Sequence, residues 1–244
     1  MAAPSESPRL DEHLIMLGRL ASSLSHEIRT PLASLFLLVD VLEEELWYPR
    51  ADSQAHMVQS LTDIRTALIY VNELVEDYLS LARLADLHRE PVALGTVVES
   101  FALEIQPQLA ERGITLHVEG LEGLGQVALH RNAFHRSLVN LVQNAIDAMP
   151  LGGALTLRGW QEETQAHLEV QDSGDGIPED QLSQLFVPFH TTKPAGTGLG
   201  LYVVQEILAA HGGAIVLSSI CGIGTTCTLT LPLIAAEATV ANGS

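Results

Sequence analysis

"LDEHLIMLGRLASSLSHEIRTPLASLFLLVDVL", residues 10–42, carries an apolar residue at alternating steps of four and three. The series is Leu10, Leu14, Leu17, Ala21, Leu24, Ile28, Pro31, Leu35, Leu38 and Leu42. Such a series stays on one face only if the chain is helical. The stretch therefore predicts one long helix of a coiled-coil-like bundle. Residues 57–85 repeat the pattern with Met57, Leu61, Ile64, Leu68, Val71, Val75, Tyr78, Ala82 and Ala85. Between them lies "WYPRADS", residues 47–53. Pro49 cannot continue a helix, and Asp52 or Ser53 can cap the next one. The reading is an antiparallel helical hairpin. Two helices with one wide apolar stripe each cannot enclose a core, so a second copy is expected to complete a four-helix bundle as a homodimer.

Past "HREPVAL", residues 88–94, the period changes. Helical stretches at about 94–112, 131–149 and 198–211 are mixed with alternating strands at 114–120, 154–160, 166–172, 214–219 and 225–233. The last four strands are expected to pair as neighbouring hairpins. This half is of α+β class, a helix-and-sheet sandwich. The first few residues and the tail after Leu233 are expected to fray.

The 244 residues carry a formal net charge of -18 and are 47% hydrophobic. That is apolar enough for a core. Residues 1–90 hold 15 acids against 7 bases, and residues 91–244 hold 15 against 5. Two acidic halves argue against nucleic acid as a partner, and an anionic membrane surface repels them too. No apolar run reaches membrane-spanning length and no signal-peptide pattern opens the chain, so a cytoplasmic protein without membrane insertion is expected. Cys221 and Cys227 read as thiols rather than a disulfide framework.

Chemistry enters at "SHEIRTPL", residues 25–32. Leu24 and Ile28 lie on the seam, and His26 sits two residues from each. At about 100° per residue it points to solvent on the far side of the bundle. Thr30 is one turn later on the same face, with Glu27 beside His26. Pro31 removes an N–H, so a kink is expected near residue 27. An exposed histidine alone is most simply a solvated residue.

The glycine clusters "DSGDGIP" (172–178), "GTGLGL" (196–201) and "GIGTT" (222–226) add to it. Turn glycines between strands explain the last. A G-x-G-x-G run leading into a helix is better explained by backbone N–H groups that meet a phosphate. Asn140 and Asn144 in "NLVQNAIDAM" (140–149) share one helix face. They either bond nearby loops or offer carboxamide oxygens to a Mg²⁺ carried by nucleotide phosphates. Lys193 is the chain's single lysine. It is either a solvated residue or a phosphate contact. Arg131 and Arg136 are further candidate cations.

With these residues in view, the chain resembles the catalytic core of a bacterial two-component sensor histidine kinase. "SHEIRTPL" resembles that family's phospho-acceptor box, "NLVQNAIDAM" its N box, "DSGDGIP" and "GTGLGL" its glycine boxes, and "FVPFHTTK" (186–193) its F box. The boxes stand in family order from about residue 10 to 233. The lid "PFHTTKPAGTGLGL" looks most like the nitrogen-regulation group. His130 and His190 depart from the family's usual Asp and aromatic residue.

The resemblance implies two domains. Residues 1–90 would form the dimerisation and histidine-phosphotransfer domain. Residues 91–244 would form an ATP-binding domain with the two-layer Bergerat fold. It also implies roles. His26 takes the γ-phosphoryl group of ATP, Glu27 accepts the imidazole proton, and Thr30 positions water when the partner response regulator is dephosphorylated. Asn144 holds Mg²⁺, supported by Asn140, and Asp172 accepts from the adenine amine. Gly174 and Gly176 let the chain pass close to the base. Thr192, Lys193, Gly196, Thr197, Gly198, Leu199 and Gly200 form the lid and phosphate-binding helix start. Input would come from a sensor domain missing from this chain or from a separate sensor protein. Two alternatives remain: a nucleotide-gated ATPase clamp or scaffold, and a phosphotransfer protein with a dead nucleotide site.

Overall fold

The heptad stretch forms one helix, α1 (Ser7–Trp47), in a computed structural model that describes residues 7–48, 52–193 and 196–234. The helix runs on through Pro31. Leu17, Ala21, Leu24, Ile28, Pro31, Leu35, Leu38 and Leu42 are all half-buried, as the spacing requires. The side chains of Leu10, Leu14 and Ala85, and Pro49 of the turn, lie outside the described residues, as do both termini.

Helix α2 (Ser53–Ala82) returns beside α1. Near the turn His56 Nδ1 lies 3.2 Å from Glu45 Oε1. Further along, Tyr70 of α2 meets Glu27 of α1. Numbers rising on one helix as they fall on the other make the pair antiparallel. The cap differs from the expected one. Asp52 holds the N-cap position without a side-chain cap bond. Its carboxylate instead stands 3.4 Å from His56 Nε2, and its carbonyl accepts from the Ala55 and His56 N–H groups.

One row along α2 is buried: Leu74, Asp77, Leu81 and Leu84, the last in the short 3₁₀ turn Arg83–Asp86 that follows. Another row stays open. Leu61 is 56% exposed and Leu68 54%, seven residues apart, with Val75 next in the series.

The second half begins with β1 (Glu90–Ala93), α3 (Leu94–Glu111), β2 (Ile114–Glu119), β3 (Gln126–Leu129) and α4 (Arg131–Ala148). It continues with β4 (Gly153–Glu162), β5 (Gln165–Asp172), α5 (Glu179–Leu182), α6 (Gly200–Ala210), β6 (Ala214–Ile220) and β7 (Gly224–Pro232). Five strands form one sheet in the order β2-β4-β5-β7-β6, with β2 parallel to β4 and the other pairs antiparallel. The expected β4–β5 and β6–β7 hairpins are both there. Strands β1 and β3 pair separately, and four residues each were too few for alternation to show. Burial alternates along β4, β5 and β7. Leu155, Leu157, Leu168, Val170, Leu229 and Leu231 enter one core with Phe101 of α3, Phe134 and Leu138 of α4, and Val204 and Leu208 of α6. This is the expected two-layer α+β sandwich.

The chain divides into two compact units, Met1–Ala85 with Pro188–Leu199, and Asp86–Val187 with Gly200–Ser244. Helix α6 starts at Gly200 rather than 198, because Gly198 takes φ +66° and cannot be helical. Its carbonyl accepts from Phe189 N at 2.9 Å, and a Cβ there would lie 2.5 Å from Phe189 carbonyl carbon.

The two glycines of "GIGTT" differ in kind. Gly222 (φ +77°) has open space where a Cβ would go. Gly224 (φ +140°) would place a Cβ 2.0 Å from Asp172 carbonyl oxygen. Gly222→Ala is expected to cost about 1–2 kcal/mol for the left-handed backbone alone. Gly224→Ala is expected to cost more, because strand β5 must also move. Denaturant unfolding of both variants checks the order.

Candidate active site

His26 and Thr30 are both exposed on α1, while Glu27 between them is half-buried. Three successive features of the α-helix explain this. The seam residues Leu24 and Ile28 turn inward, His26 lies about 200° from each, and Thr30 follows His26 by one turn. The imidazole is thus available to a reactant from solvent.

In the second unit, α4 carries Asn140 and Asn144 one turn apart, both half-buried. Asn140 Nδ2 donates to Gly200 carbonyl oxygen at 3.2 Å, which ties α4 to the first residue of α6. Asp172, at the end of β5, is only 9% exposed. Its Oδ1 accepts two backbone N–H groups, Gly174 at 2.9 Å and Thr225 at 3.2 Å. The loop after it is strapped on both sides. Asp175 N donates to Ala148 carbonyl oxygen at the end of α4, and Asp175 carbonyl oxygen accepts from Gly222 N at 2.7 Å. Ile177 N donates to Ser219 Oγ at 2.8 Å.

Space is tight along this loop. A Cβ on Gly174 would meet Ala148 carbonyl oxygen at 2.4 Å, and one on Gly176 (φ +67°) would meet Ile220 carbonyl oxygen at 2.2 Å. The glycines thus hold a backbone cradle that ends at a fixed carboxylate. Nearby Cys227 is buried, and burial, helped by the charge of Asp172, pushes its thiol up to about 12. It is no nucleophile at neutral pH.

The lid residues belong to the first unit. Thr192 is exposed, and Lys193 is partly so. Lys193 N donates to Thr191 Oγ1 at 3.1 Å, and its carbonyl accepts from Gly196 N at 3.2 Å. Thr197 Oγ1 donates to Asp77 Oδ2 of α2 at 3.2 Å and accepts from Leu199 N at 3.2 Å. Leu199 itself is buried. Of the two arginines, Arg131 is engaged by Glu90 of β1, and Arg136 is half-buried on α4.

The "His Kinase A (phospho-acceptor) domain" matches residues 16–86, and the "Histidine kinase-, DNA gyrase B-, and HSP90-like ATPase" family matches residues 130–235. The sensor histidine kinase ZraS of Salmonella typhi is 34% identical over 93% of this chain and 48% of its own length. The chain belongs to the two-component sensor histidine kinases. It spans about half the length of the curated relatives it matches. Sporulation kinase D of Bacillus subtilis is 30% identical over 91% of the chain. The full-length kinase ShkA, solved in complex with AMPPNP, superposes with a TM-score of 0.63 at 26% identity, over 90% of this chain and 46% of that one. No helix among the described residues is long and apolar enough to cross a membrane.

For this histidine-kinase core, the ATPase family match carries ATP binding with it. The structure also shows residues that the sequence reading passed over. Asp77 is 2% exposed and bonded to the lid threonine. Its signal was available, since Leu74, Asp77, Leu81 and Leu84 form a second series of three and four spacings beside the first. His130, where the family usually has Asp, still caps α4: its Nδ1 accepts from Ala133 N at 3.2 Å. An unprotonated imidazole nitrogen does the cap work of a carboxylate.

His211, at the end of α6, is 2% exposed. Its Nδ1–H donates to Ile207 carbonyl oxygen at 2.6 Å, which leaves Nε2 to accept from His130 N at 2.9 Å. Burial pushes its pKa down, and the nearby charge of Arg89 acts the same way against the Ile207 bond. As pH falls below about 6.5, the unfolded chain takes the proton first. Stability from this group is therefore full above that pH and is lost on acidification. Thermal melts of wild type and His211→Gln at about pH 7.5 and 5.5 check it. The variant is expected to lose less Tm across the interval.

Proposed function

We propose that this chain is an ATP-dependent protein histidine kinase that phosphorylates itself on His26 and passes the group to an aspartate of a response-regulator receiver domain. The observation that carries the reading is His26 exposed on α1, within the segment matched by the phospho-acceptor family. One ring nitrogen attacks the γ-phosphorus. The bond from phosphorus to the β–γ bridging oxygen breaks, and ADP leaves with that electron pair. The proton on the other ring nitrogen passes to Glu27. A phosphoryl group in flight needs positioning and charge neutralisation more than covalent help.

Residues 1–90 form the phosphotransfer domain of this proposal and residues 91–244 the nucleotide domain. Asp172 takes the adenine amine, and the close-packed glycines of its loop fit a flat base better than any side chain would. Among the described residues no group of three His, Cys, Asp or Glu side chains could hold a metal. A metal site built on the Asn144 carboxamide alone fits Mg²⁺ that arrives on the nucleotide phosphates. Bound there, Mg²⁺ neutralises phosphate charge. Asn140 fixes the start of α6, where Gly200 offers backbone to the phosphates.

Phe36 and Leu37 of α1 are 72% and 66% exposed, and Leu61 and Leu68 of α2 more than half. A homodimeric four-helix bundle covers these rows. Thr30, one turn from His26, positions water for the phosphatase reaction on the regulator. The working place is the cytoplasm, where ATP is, with input from a sensor segment or separate sensor protein.

The test is incubation with γ-labelled ATP. A label that is acid-labile and base-stable is expected, the mark of phosphohistidine. His26→Ala is expected to abolish it while ATP binding and Tm stay as in wild type. Phosphate release without bound label would favour an ATPase clamp, and a dead nucleotide site would give neither.

Lys193 is proposed to meet the phosphates. A charge-assisted hydrogen bond is worth about 1.5–3 kcal/mol. Lys193→Ala is therefore expected to weaken ATP binding about 10- to 100-fold, and ADP binding less if the contact is to the γ-phosphate. Paired ATP and ADP titrations decide. Equal affinities in variant and wild type would leave Lys193 a solvated lid residue.

A further inference from the structure

A carboxylate stands where the row along α2 otherwise has leucines. Leu74, Asp77, Leu81 and Leu84 follow at steps of three and four, and all are buried. Asp77 is 2% exposed. A leucine there carries no desolvation penalty, whereas a buried carboxylate is unfavourable unless hydrogen bonds hold it. The position therefore calls for a partner that a leucine could not serve.

That partner comes from 120 residues further on. Thr197 Oγ1 donates its proton to Asp77 Oδ2 at 3.2 Å and accepts from Leu199 N at 3.2 Å. The two bonds point one way, from the Leu199 N–H through the hydroxyl to the carboxylate, and each polarises the other. Leu199 is 1% exposed, so the far end of this relay is packed as well as bonded.

The same few residues form the neck of the lid. Gly198 carbonyl oxygen accepts from Phe189 N at 2.9 Å, and both residues take left-handed backbone, with φ +66° and +63°. Residues 189–198, Lys193 among them, are thus a loop closed at its base. Bonds inside the loop are local: Lys193 N to Thr191 Oγ1, and Gly196 N to Lys193 carbonyl oxygen. The bond from Thr197 to Asp77 ties the loop to α2, and residues 188–199 form one compact unit with the hairpin.

We infer that Asp77 is a positioning residue for ATP binding: through the Thr197 hydroxyl it anchors the neck of the lid to helix α2, and so sets where Lys193 can reach. This role rests on the phosphate contact proposed for Lys193 above. Asp77 acts through Thr197, not on the nucleotide itself. A shift of α2 carries the neck of the lid with it, so the hairpin that bears His26 also governs nucleotide loading.

The test uses the full chain as wild type, Asp77→Leu, Asp77→Asn, Thr197→Val, the Asp77→Leu/Thr197→Val double variant and Lys193→Ala. Hydrogen exchange of residues 189–199 reads the anchor, ATP titration reads its consequence, and Tm reads the fold. Asp77→Leu continues the leucine row, so its Tm is expected to match or exceed that of wild type. Its lid is expected to exchange faster. Its Kd for ATP is expected to rise about 10-fold, as for the loss of one hydrogen bond to a charged group. Thr197→Val is expected to act in the same direction, and the double variant to be no weaker than Thr197→Val. Asp77→Asn keeps an acceptor oxygen and is expected to recover most of the affinity.

Each other outcome has its own meaning. If Lys193→Ala and Asp77→Leu both bind ATP as wild type does, the lid has no part in binding, and the inference falls with that reading. If Lys193→Ala is weak and Asp77→Leu is not, the lid stands and the anchor falls. Unchanged exchange in the lid of Asp77→Leu overturns the anchor as well. Losses that add in the double variant mark two separate effects and overturn it too. An Asp77→Asn as weak as Asp77→Leu does the same, because the acceptor oxygen is then not what matters. If Asp77→Leu lowers Tm or fails to fold, Thr197→Val decides: wild-type exchange and affinity there leave Asp77 a residue of the fold alone. Tighter ATP binding in Asp77→Leu overturns the inference, since the bond would then hold the lid back.

Discussion

A helix that buries the same stripe for some thirty residues has no freedom left in where its other residues point. That constraint governs the first unit. The series from Leu17 to Leu42 is half-buried throughout, and the rotation of α1 is fixed by the whole series at once. His26, two residues off the stripe, faces water as a consequence of Leu24 and Ile28 facing in. Glu27 falls between the two directions, half in and half out. The proposed phospho-acceptor and the proposed base are thus adjacent letters of one helix. Pro31 loosens the ladder at Glu27 without ending the helix.

The second unit solves a different problem, bringing backbone close to backbone. Asp172 lies at the end of β5, and its Oδ1 joins Gly174 N of the loop that follows it to Thr225 N of β7. Those segments can approach only because Gly174, Gly176 and Gly224 carry no Cβ. The site is consequently built into the same packing that holds the sheet to α4. Substitutions there are expected to cost stability together with the proposed nucleotide binding. Changes at His26 are expected to cost chemistry alone. The two halves divide the risks of mutation as they divide the work.

Much of this could be read from the letters. The 3.5 period located α1 and α2, and the alternation located five strands to within a residue or two. The direction of His26 followed from two seam residues. What escaped reading had physical reasons. Strands β1 and β3 are four residues each, too short for a period. The start of α6 moved to Gly200 because a glycine in a run says that a turn is possible, not which residue makes it. Asp77 was passed over because an acid beside an apolar seam reads as solvated. It lies buried in a second, interleaved row and is bonded to Thr197, 120 residues on. The bond from His130 to His211 joins positions 81 residues apart, where no local pattern reaches.

Charge sets the last constraint. A chain of net charge -18 repels a nucleotide triphosphate at long range, but salt screens exposed charges beyond about 8 Å. What decides binding is therefore local. The nucleotide site proposed in the second unit offers backbone N–H groups beside glycines and carboxamides that carry no charge. Such a set neutralises phosphate without drawing other polyanions to the surface, because backbone amides act only on a group already seated among them. The same acidic surface that disfavours nucleic acid leaves specificity for the nucleotide to shape. The tight glycine cradle beside Asp172 is where shape is most strictly defined.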